Sequence, residues 1–353
     1  MKIVSFPQIG DYSVPAYYLL SHILNTTIIK PNIISNRTIE LGNKYSPNFV
    51  CMPFKYTLGT FIENLERGSN ILIQLGGGCR YGYYSELQEQ ILKDLGYKFK
   101  YYNLVSEGHT DIKQIIKKIK EINPKFSKIK SLYYLFISFK MMNYMDIIDD
   151  YIRKNIGFEK EEKSFINLKK EMLKSFSNTK GFINLYHNYI KYKMKFKKLP
   201  LKNIKRRFKV GIIGELYTIM EPTANYELEY MLAKYNIEVK RYTNATYLLI
   251  KKKNQVKKYL KQVTNYSKHR LGADALDNIG RMVELSKKEY DGVIHIKSSF
   301  CTPEIGVMPI LRKVSKDYNV PILFLSFDSN TSKVGLETRI EAFFDMIEMR
   351  RKN

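Results

Sequence analysis

The sequence contains only three cysteines and no tryptophan, and it has no apolar run long enough to cross a bilayer. Its most apolar later stretch, Leu132–Met145, is interrupted by Lys140 and is too short for a membrane span. Three cysteines are an odd number, which argues against a disulfide framework. Met1–Phe6 is typical of a strand and lacks the pattern of a signal peptide. We therefore expect a soluble, cytoplasmic protein without membrane association.

Positive charge dominates the composition, with a formal net charge of +25 at pH 7. The lysines are spread along the whole chain and accompany many Ile, Asn and Tyr residues, a mixture typical of an AT-rich genome. Binding to nucleic acid would require the basic runs to form one face with base-reading groups, so a nucleic-acid partner is not expected. The charge is better explained as solvated surface, or as an attraction for an anionic substrate such as an acyl-CoA or for an acidic redox partner.

Hydrophobic periodicity divides the chain into three parts. Short apolar strands alternate with helical patterns over residues 1–110 and again over 205–353, which predicts parallel sheets covered by helices on both faces. Residues 111–204 show helical periodicity only. We predict a first α/β domain at 1–110, a helical insertion at 111–204 and a second α/β domain at 205–353, with a cleft between the two α/β domains.

Each of the three cysteines, Cys51, Cys79 and Cys301, lies near the carboxyl end of a predicted strand or at the start of a predicted helix. That edge of an open α/β sheet is where ligands bind. A helix N-terminus also lowers the pKa of a thiol, and the thiolate is the form that ligates metal. Cys51 and Cys79 fall in the first predicted domain and Cys301 in the second.

A glycine run, Gly76–Gly78, precedes Cys79. Glycines allow the backbone to pass close to a bulky group, and their N–H groups are suited to hydrogen bonds with sulfides. The run is no dinucleotide fingerprint, because Tyr81 stands where a third glycine would be needed. It is no P-loop either, because no Gly-Lys-Ser/Thr follows.

Three convergent thiolates suit a [4Fe–4S] cluster that leaves one iron open. Zinc is the chemical alternative, but no histidine is clearly placed as a fourth ligand. His295 lies within a predicted strand, where a histidine is more often a core residue. The simplest alternative remains three buried thiols that act as small hydrophobic side chains.

Three segments resemble the cluster-binding segments of the 2-hydroxyacyl-CoA dehydratase superfamily. They are Val50-Cys51-Met52-Pro53-Phe54-Lys55, Gly78-Cys79-Arg80-Tyr81-Gly82-Tyr83-Tyr84 and Phe300-Cys301-Thr302-Pro303-Glu304. The resemblance covers about residues 45–105 and 205–350. Within the superfamily, the chain looks most like the activase-related branch akin to double-cubane cluster proteins.

The resemblance implies two flavodoxin/Rossmann-like domains and three cysteine ligands, Cys51, Cys79 and Cys301, for a [4Fe–4S] cluster. As an alternative, the resemblance implies that this cluster forms part of a double-cubane [8Fe–9S] cluster. It also implies a homodimer or a heterodimer with a related subunit, and a separate ATP-dependent activator that injects one low-potential electron. In the dehydratases of the superfamily, that electron drives the elimination of water from a 2-hydroxyacyl-CoA. A non-catalytic iron–sulfur carrier or assembly protein is the alternative function.

The same segments suggest residues around the cluster. Lys55 and Arg80 are candidates to offset its negative charge, and Gly77 and Gly78 to approach it closely. Glu304, one helical turn after Cys301, is expected either to orient a ligand or to cap its helix. No residue is assigned a catalytic role.

Overall fold

The structure is a computed structural model that describes residues 1–74, 80–104, 111–204, 207–269 and 271–352. The chain divides into two compact units, Met1–Lys140 and Met141–Asn353.

The first unit is built on a parallel sheet of four strands in the order β2-β1-β3-β4. The strands are β1 (Ile3–Ser5), β2 (Thr27–Ile29), β3 (Ile71–Gln74) and β4 (Lys100–Asn103). The helices around them are α1 (Ser13–Ile23), α2 (Asn36–Tyr45), α3 (Met52–Glu66), α4 (Tyr84–Asp94) and α5 (Ile112–Ile122).

Strand β3 shows why helices cover both faces of this sheet. Ile71 and Ile73 point to one face and pack with α1 and the end of α5, whereas Leu72 points to the other and packs with α3 and α4. A strand buried on both faces is apolar along most of its length, and this continuous apolar run is the signal that predicted β3. Helix α2 lies directly against α3, since a Cβ added at Gly59 would stand 2.0 Å from the carbonyl oxygen of Thr38.

The stretch predicted as a helical insertion consists, over its described residues, of helices joined by short connections. It contains α5, α6 (Lys128–Asn155), α7 (Ser164–Ser177) and α8 (Phe182–Lys198). The division between the two units falls within α6. In the second unit, α8 packs on the second half of α6 through the stacked rings of Tyr144 and Tyr189, whose centroids are 4.1 Å apart.

The second unit contains a second parallel sheet of four strands, in the order β6-β5-β7-β8. The strands are β5 (Phe208–Gly214), β6 (Ile237–Arg241), β7 (Gly292–Ser298) and β8 (Ile322–Phe327). The helices that follow β5 are α9 (Leu216–Met220), α10 (Leu228–Ala233), α11 (Lys252–Val263), α12 (Ala275–Lys287), α13 (Thr302–Asp317) and α14 (Lys333–Lys352). One face of the sheet packs with α11, α12 and α13, and Gly292 on the other face meets Phe343 of α14.

Both sheets therefore have their second strand at one edge, then the first, the third and the fourth. This is the order of the first four strands of flavodoxin-like folds. The prediction of two α/β units with all-parallel sheets is confirmed. In the part of the chain that the structure describes, no helix combines the length and the hydropathy that crossing a membrane requires.

Candidate functional site at the carboxyl edges of the sheets

In both units the strand order reverses between the first and the third strand, and ligands of doubly wound folds bind at the carboxyl ends of the strands there. In the second unit these strands are β5 and β7. Cys301 follows β7 by three residues, so the chain brings it to this edge.

Cys301 is the N-cap residue of α13. The backbone reaches it through a turn in which Ser299 N donates to the carbonyl of Phe327 at 2.9 Å and Cys301 N donates to that of Ser298 at 3.0 Å. Pro303 lies in the first turn of the helix, where a missing N–H costs nothing. The thiol does not cap the helix and is partly exposed. A cysteine in this position is favoured as a thiolate by the positive end of the helix dipole.

A buried polar network lies beneath the first turn of α13. Glu304, with no exposed surface, accepts a hydrogen bond from Asn278 Nδ2 at 2.9 Å and lies 2.7 Å from Nε2 of the equally buried His295. Asn278 also accepts a hydrogen bond from the N–H of Gly214 at 3.0 Å. We call these residues the His295–Glu304–Asn278 network. It ties β7, α12 and the end of β5 to the start of α13.

The network shows that Glu304 does not have the capping role considered for it, and that His295 is the core residue expected from the sequence. Glu304 does not cap α13, because its carboxylate oxygens are directed to His295 and Asn278 instead. His295 is a buried residue bonded within the fold, as expected of a histidine inside a strand.

Lys297 points to the same side of β7 as His295, because side chains alternate along a strand. It is 5% exposed, and Nζ donates to the carbonyl of Ser299 at 3.3 Å. Burial lowers the pKa of Lys297, while charge on Cys301, Glu304 and Asp328 raises it. The ammonium group thus lies close enough to Cys301 for the two charges to interact.

Glu215 lies directly after β5, at the same carboxyl edge of the sheet as the loop that follows β7. Its carboxylate accepts hydrogen bonds from the N–H groups of Tyr217 and Thr218 and so caps the short helix α9. Burial, with a smaller contribution from the nearby Asp274, raises the pKa of Glu215 to about 7, although these hydrogen bonds lower it. Its neighbour Gly214 has φ +139° and lies so close to β7 that a Cβ there would stand 1.8 Å from the carbonyl oxygen of Ile296.

A second group of buried polar side chains lies beyond the end of β6. Arg281 is almost fully buried, donates to Thr243 Oγ1 at 2.6 Å and lies over the ring of Tyr247, 4.4 Å from its centroid. The Tyr247 hydroxyl donates to Asp277 at 2.8 Å. Burial raises the pKa of Asp277, and Arg281 and Lys252 oppose that rise. The charged side chains of Arg281 and Asp277 at this edge of the sheet are thus fixed by hydrogen bonds to neighbouring side chains.

Cys51 also begins a helix, α3 of the first unit, although α3 precedes the third strand of its sheet whereas α13 follows the third strand of the other. It is the N-cap residue of this helix, its thiol makes no capping hydrogen bond, and its sulfur contacts the hydroxyl of Tyr84 at the start of α4. The Tyr84 ring meets Phe54 edge-on, with centroids 4.8 Å apart. Lys55 is half-buried in the first turns of α3.

The remaining predicted site residues belong to the loop after β3. Gly77, Gly78 and Cys79 lie outside the described residues, and so does the side chain of Arg80, whose backbone begins a short 3₁₀ helix that ends at Tyr83. Tyr84, which contacts Cys51, follows this loop directly. Within the described ranges, no three His, Cys, Asp or Glu side chains come together as a metal site, and the convergence of the three cysteines stays a prediction.

Sequence reasoning missed Lys297, Asn278 and Glu215. The signal for Lys297 was visible, since His295 and Lys297 are polar residues two positions apart in a strand that is otherwise apolar. A central parallel strand seldom carries two such residues on one side. Asn278 gave no local signal, because its partners are distant in sequence.

Two doubly wound units, each with a cysteine at the head of a helix, define an α/β protein whose ligand-binding edges carry thiols. Residues 216–347 match the family of the 2-hydroxyglutaryl-CoA dehydratase D-component. This match covers less than half of the chain and includes β7, Cys301 and α13. It confirms the resemblance to the 2-hydroxyacyl-CoA dehydratase superfamily and supports a role as a dehydratase component. No curated protein matches the chain.

Proposed function

We propose that the chain is the iron–sulfur component of a 2-hydroxyacyl-CoA dehydratase-like or double-cubane-type reductase system. In this proposal, Cys51, Cys79 and Cys301 ligate a [4Fe–4S] cluster, which is either complete in itself or part of a double-cubane [8Fe–9S] cluster. The observation that carries the proposal is Cys301, which heads α13 at the end of β7 inside the segment that matches the D-component family.

The settings of the two described cysteines fit such a cluster. Each sulfur stands at a helix N-terminus, where the thiolate is favoured, and neither thiol caps its helix. When bound, the cluster supplies one-electron transfer at low potential. Around it, the His295–Glu304–Asn278 network fixes the first turn of α13 and thereby the direction of Cys301. Tyr84 covers the sulfur of Cys51.

The partners in this proposal follow from the resemblance. An ATP-dependent activator delivers the electron, and the chain acts as a homodimer or with a related subunit. The substrate is an acyl-CoA or another small molecule. The formal net charge of +25 favours an anionic substrate, because a positive field raises the local concentration of anions. The protein works in the cytoplasm under anaerobic conditions.

Anaerobic purification with iron and sulfide analysis tests the cluster. We expect about four irons per chain, with a similar amount of sulfide. The variant Cys301→Ser should lose most of this iron, whereas Thr302→Ala, one residue further along, should keep it. Stoichiometric zinc without sulfide would contradict the proposal.

The electron-transfer part has its own test. The cluster of the purified protein should be reduced by a co-purified activator only when ATP is hydrolysed, as followed by its visible absorption. Reduction that is equally fast without ATP would favour a carrier or assembly protein instead.

A further inference from the structure

The buried lysine of β7 points to a role that the dehydratase family match does not assign. Lys297 lies within a strand in which every residue is buried, and only 5% of its own surface is exposed. Moving an ammonium group out of water is costly unless an anion faces it. A lysine in this position therefore requires a source of negative charge nearby.

The acidic groups around Lys297 are already engaged with other partners. The carboxylate of Glu304 is directed to His295 and Asn278. Asp328, after β8, accepts a hydrogen bond from Ser299 Oγ at 2.8 Å and one from the N–H of Asn330 at 2.8 Å. Among the described residues, Lys297 forms no ion pair, and the bond of Nζ to the carbonyl of Ser299 is a long one at 3.3 Å.

The third source of negative charge near Lys297 is the sulfur of Cys301. The carbonyl to which Nζ donates belongs to Ser299, two residues before Cys301, so the ammonium group is directed along the connection that carries this cysteine. We propose that Lys297 is the fixed positive charge that stabilises the reduced, more negative state of the cluster bound at Cys301. This inference rests on the proposed function.

Within its described residues, Ile71–Gln74, strand β3 of the first unit carries no charged side chain. The cations expected from sequence, Lys55 and Arg80, lie instead on helical segments of the first unit. Lys55 is half-buried, so water screens its charge more strongly than that of Lys297. Of Lys55 and Lys297, Lys297 is therefore the cation whose charge solvent weakens less.

Reduction adds one negative charge to a cluster, and a nearby cation favours that state. Replacing Lys297 by Met keeps the length of the side chain and removes its charge, so the midpoint potential of the cluster should become more negative. Lys297→Arg keeps the charge and should leave the potential close to that of the wild type. Lys316→Met, which removes an exposed lysine near the end of the same helix as Cys301, is the matched control and should cause no shift.

Redox titration of the anaerobic protein, together with its iron content, provides the readout. A negative shift in Lys297→Met alone, at full iron content, is the expected result, and loss of iron in Lys297→Met but not in Lys297→Arg would also support the charge. An unshifted potential in Lys297→Met would overturn the inference and leave the proposed cluster intact. Loss of iron in both variants would overturn it too, because the side chain would then serve packing alone. A wild-type protein without iron would contradict the proposed function itself.

Discussion

In the first unit, helix α3 begins at Cys51, and its first two turns are held by a neutral amide. Gln88 of α4 is fully buried and donates to the carbonyl of Phe54 at 3.1 Å and to Thr57 Oγ1 at 2.8 Å. In the second unit, helix α13 begins at Cys301 and is braced by ionisable groups, Glu304 and His295. The two sheets have the same strand order, but the two helices differ in place, because α3 precedes the third strand of its sheet and α13 follows the third strand of the other.

The start of a cysteine-bearing helix can thus be held either by a neutral amide or by buried ionisable groups. A neutral amide costs little to bury when its hydrogen bonds are made, but it supplies no charge. A buried carboxylate and a buried ammonium cost far more to desolvate and generate a strong local field. In the second unit these buried charged groups lie next to Cys301, where their electric field would shift the potential of a bound redox group.

Of the variants that test this difference, Glu304→Ala should lose the most stability. In Glu304→Ala, His295 and Asn278 lose a shared partner in a site without solvent, so we expect a loss of roughly 3 kcal/mol in the free energy of unfolding. Denaturant unfolding followed by circular dichroism measures this loss. The exposed Glu341→Ala serves as the control and should change stability by less than about 0.5 kcal/mol. Equal midpoints for the two variants would show that the network does not hold α13.

Removing Gln88 should cost less, because the groups it leaves behind are neutral. Gln88→Leu preserves the approximate volume and loses the hydrogen bonds to Phe54 and Thr57, for an expected loss of about 1 to 2 kcal/mol. The exposed Gln90→Leu in the same helix is the matched control. A loss as large as that of Glu304→Ala would mean that charge does not distinguish the two braces.

Glu215 should have the smallest effect on stability, and this effect should appear as a dependence of stability on pH. Burial raises its folded-state pKa to about 7 from the ordinary value of 4.5, so its contribution to stability is fully present below pH 4.5. That contribution is lost as pH rises towards 7. Since the residue keeps some exposed surface, solvent screening reduces the effect to on the order of 1 kcal/mol.

Glu215→Gln should therefore flatten the decrease in stability between pH 4.5 and 7 relative to the wild type. The measurement is the unfolding midpoint across that range. Parallel curves for the two proteins would show that Glu215 is not held in the neutral form by its surroundings.

The sequence predicted the fold well because parallel strands are buried on both faces and therefore form continuous apolar runs. The run Asn70–Leu75 predicted β3, which spans Ile71–Gln74. Helix α2 was missed, although Ser35 and Thr38 form a capping box at its start, because few of its ten residues are apolar.

The candidate site was predictable only in its cysteines. Cys51 and Cys301 stand at strand and helix ends, where local pattern places them. The role of Glu304 could not be read from its position in the first turn of a helix, since that position also suits a cap. Its actual partner Asn278 lies 26 residues away and reaches it only through the packing of α12 on α13. Tertiary partners of this kind leave no local periodicity.

The most direct test of the central claim compares iron binding in three single variants. If one cluster draws ligands from both units, then Cys51→Ser, Cys79→Ser and Cys301→Ser should each lower the iron content of anaerobically prepared protein severely, while each variant still folds. We predict this common loss, and with it the loss of reduction by the activator. Full iron content and full reducibility in Cys301→Ser would contradict the claim, because the second unit would then contribute nothing to the cluster.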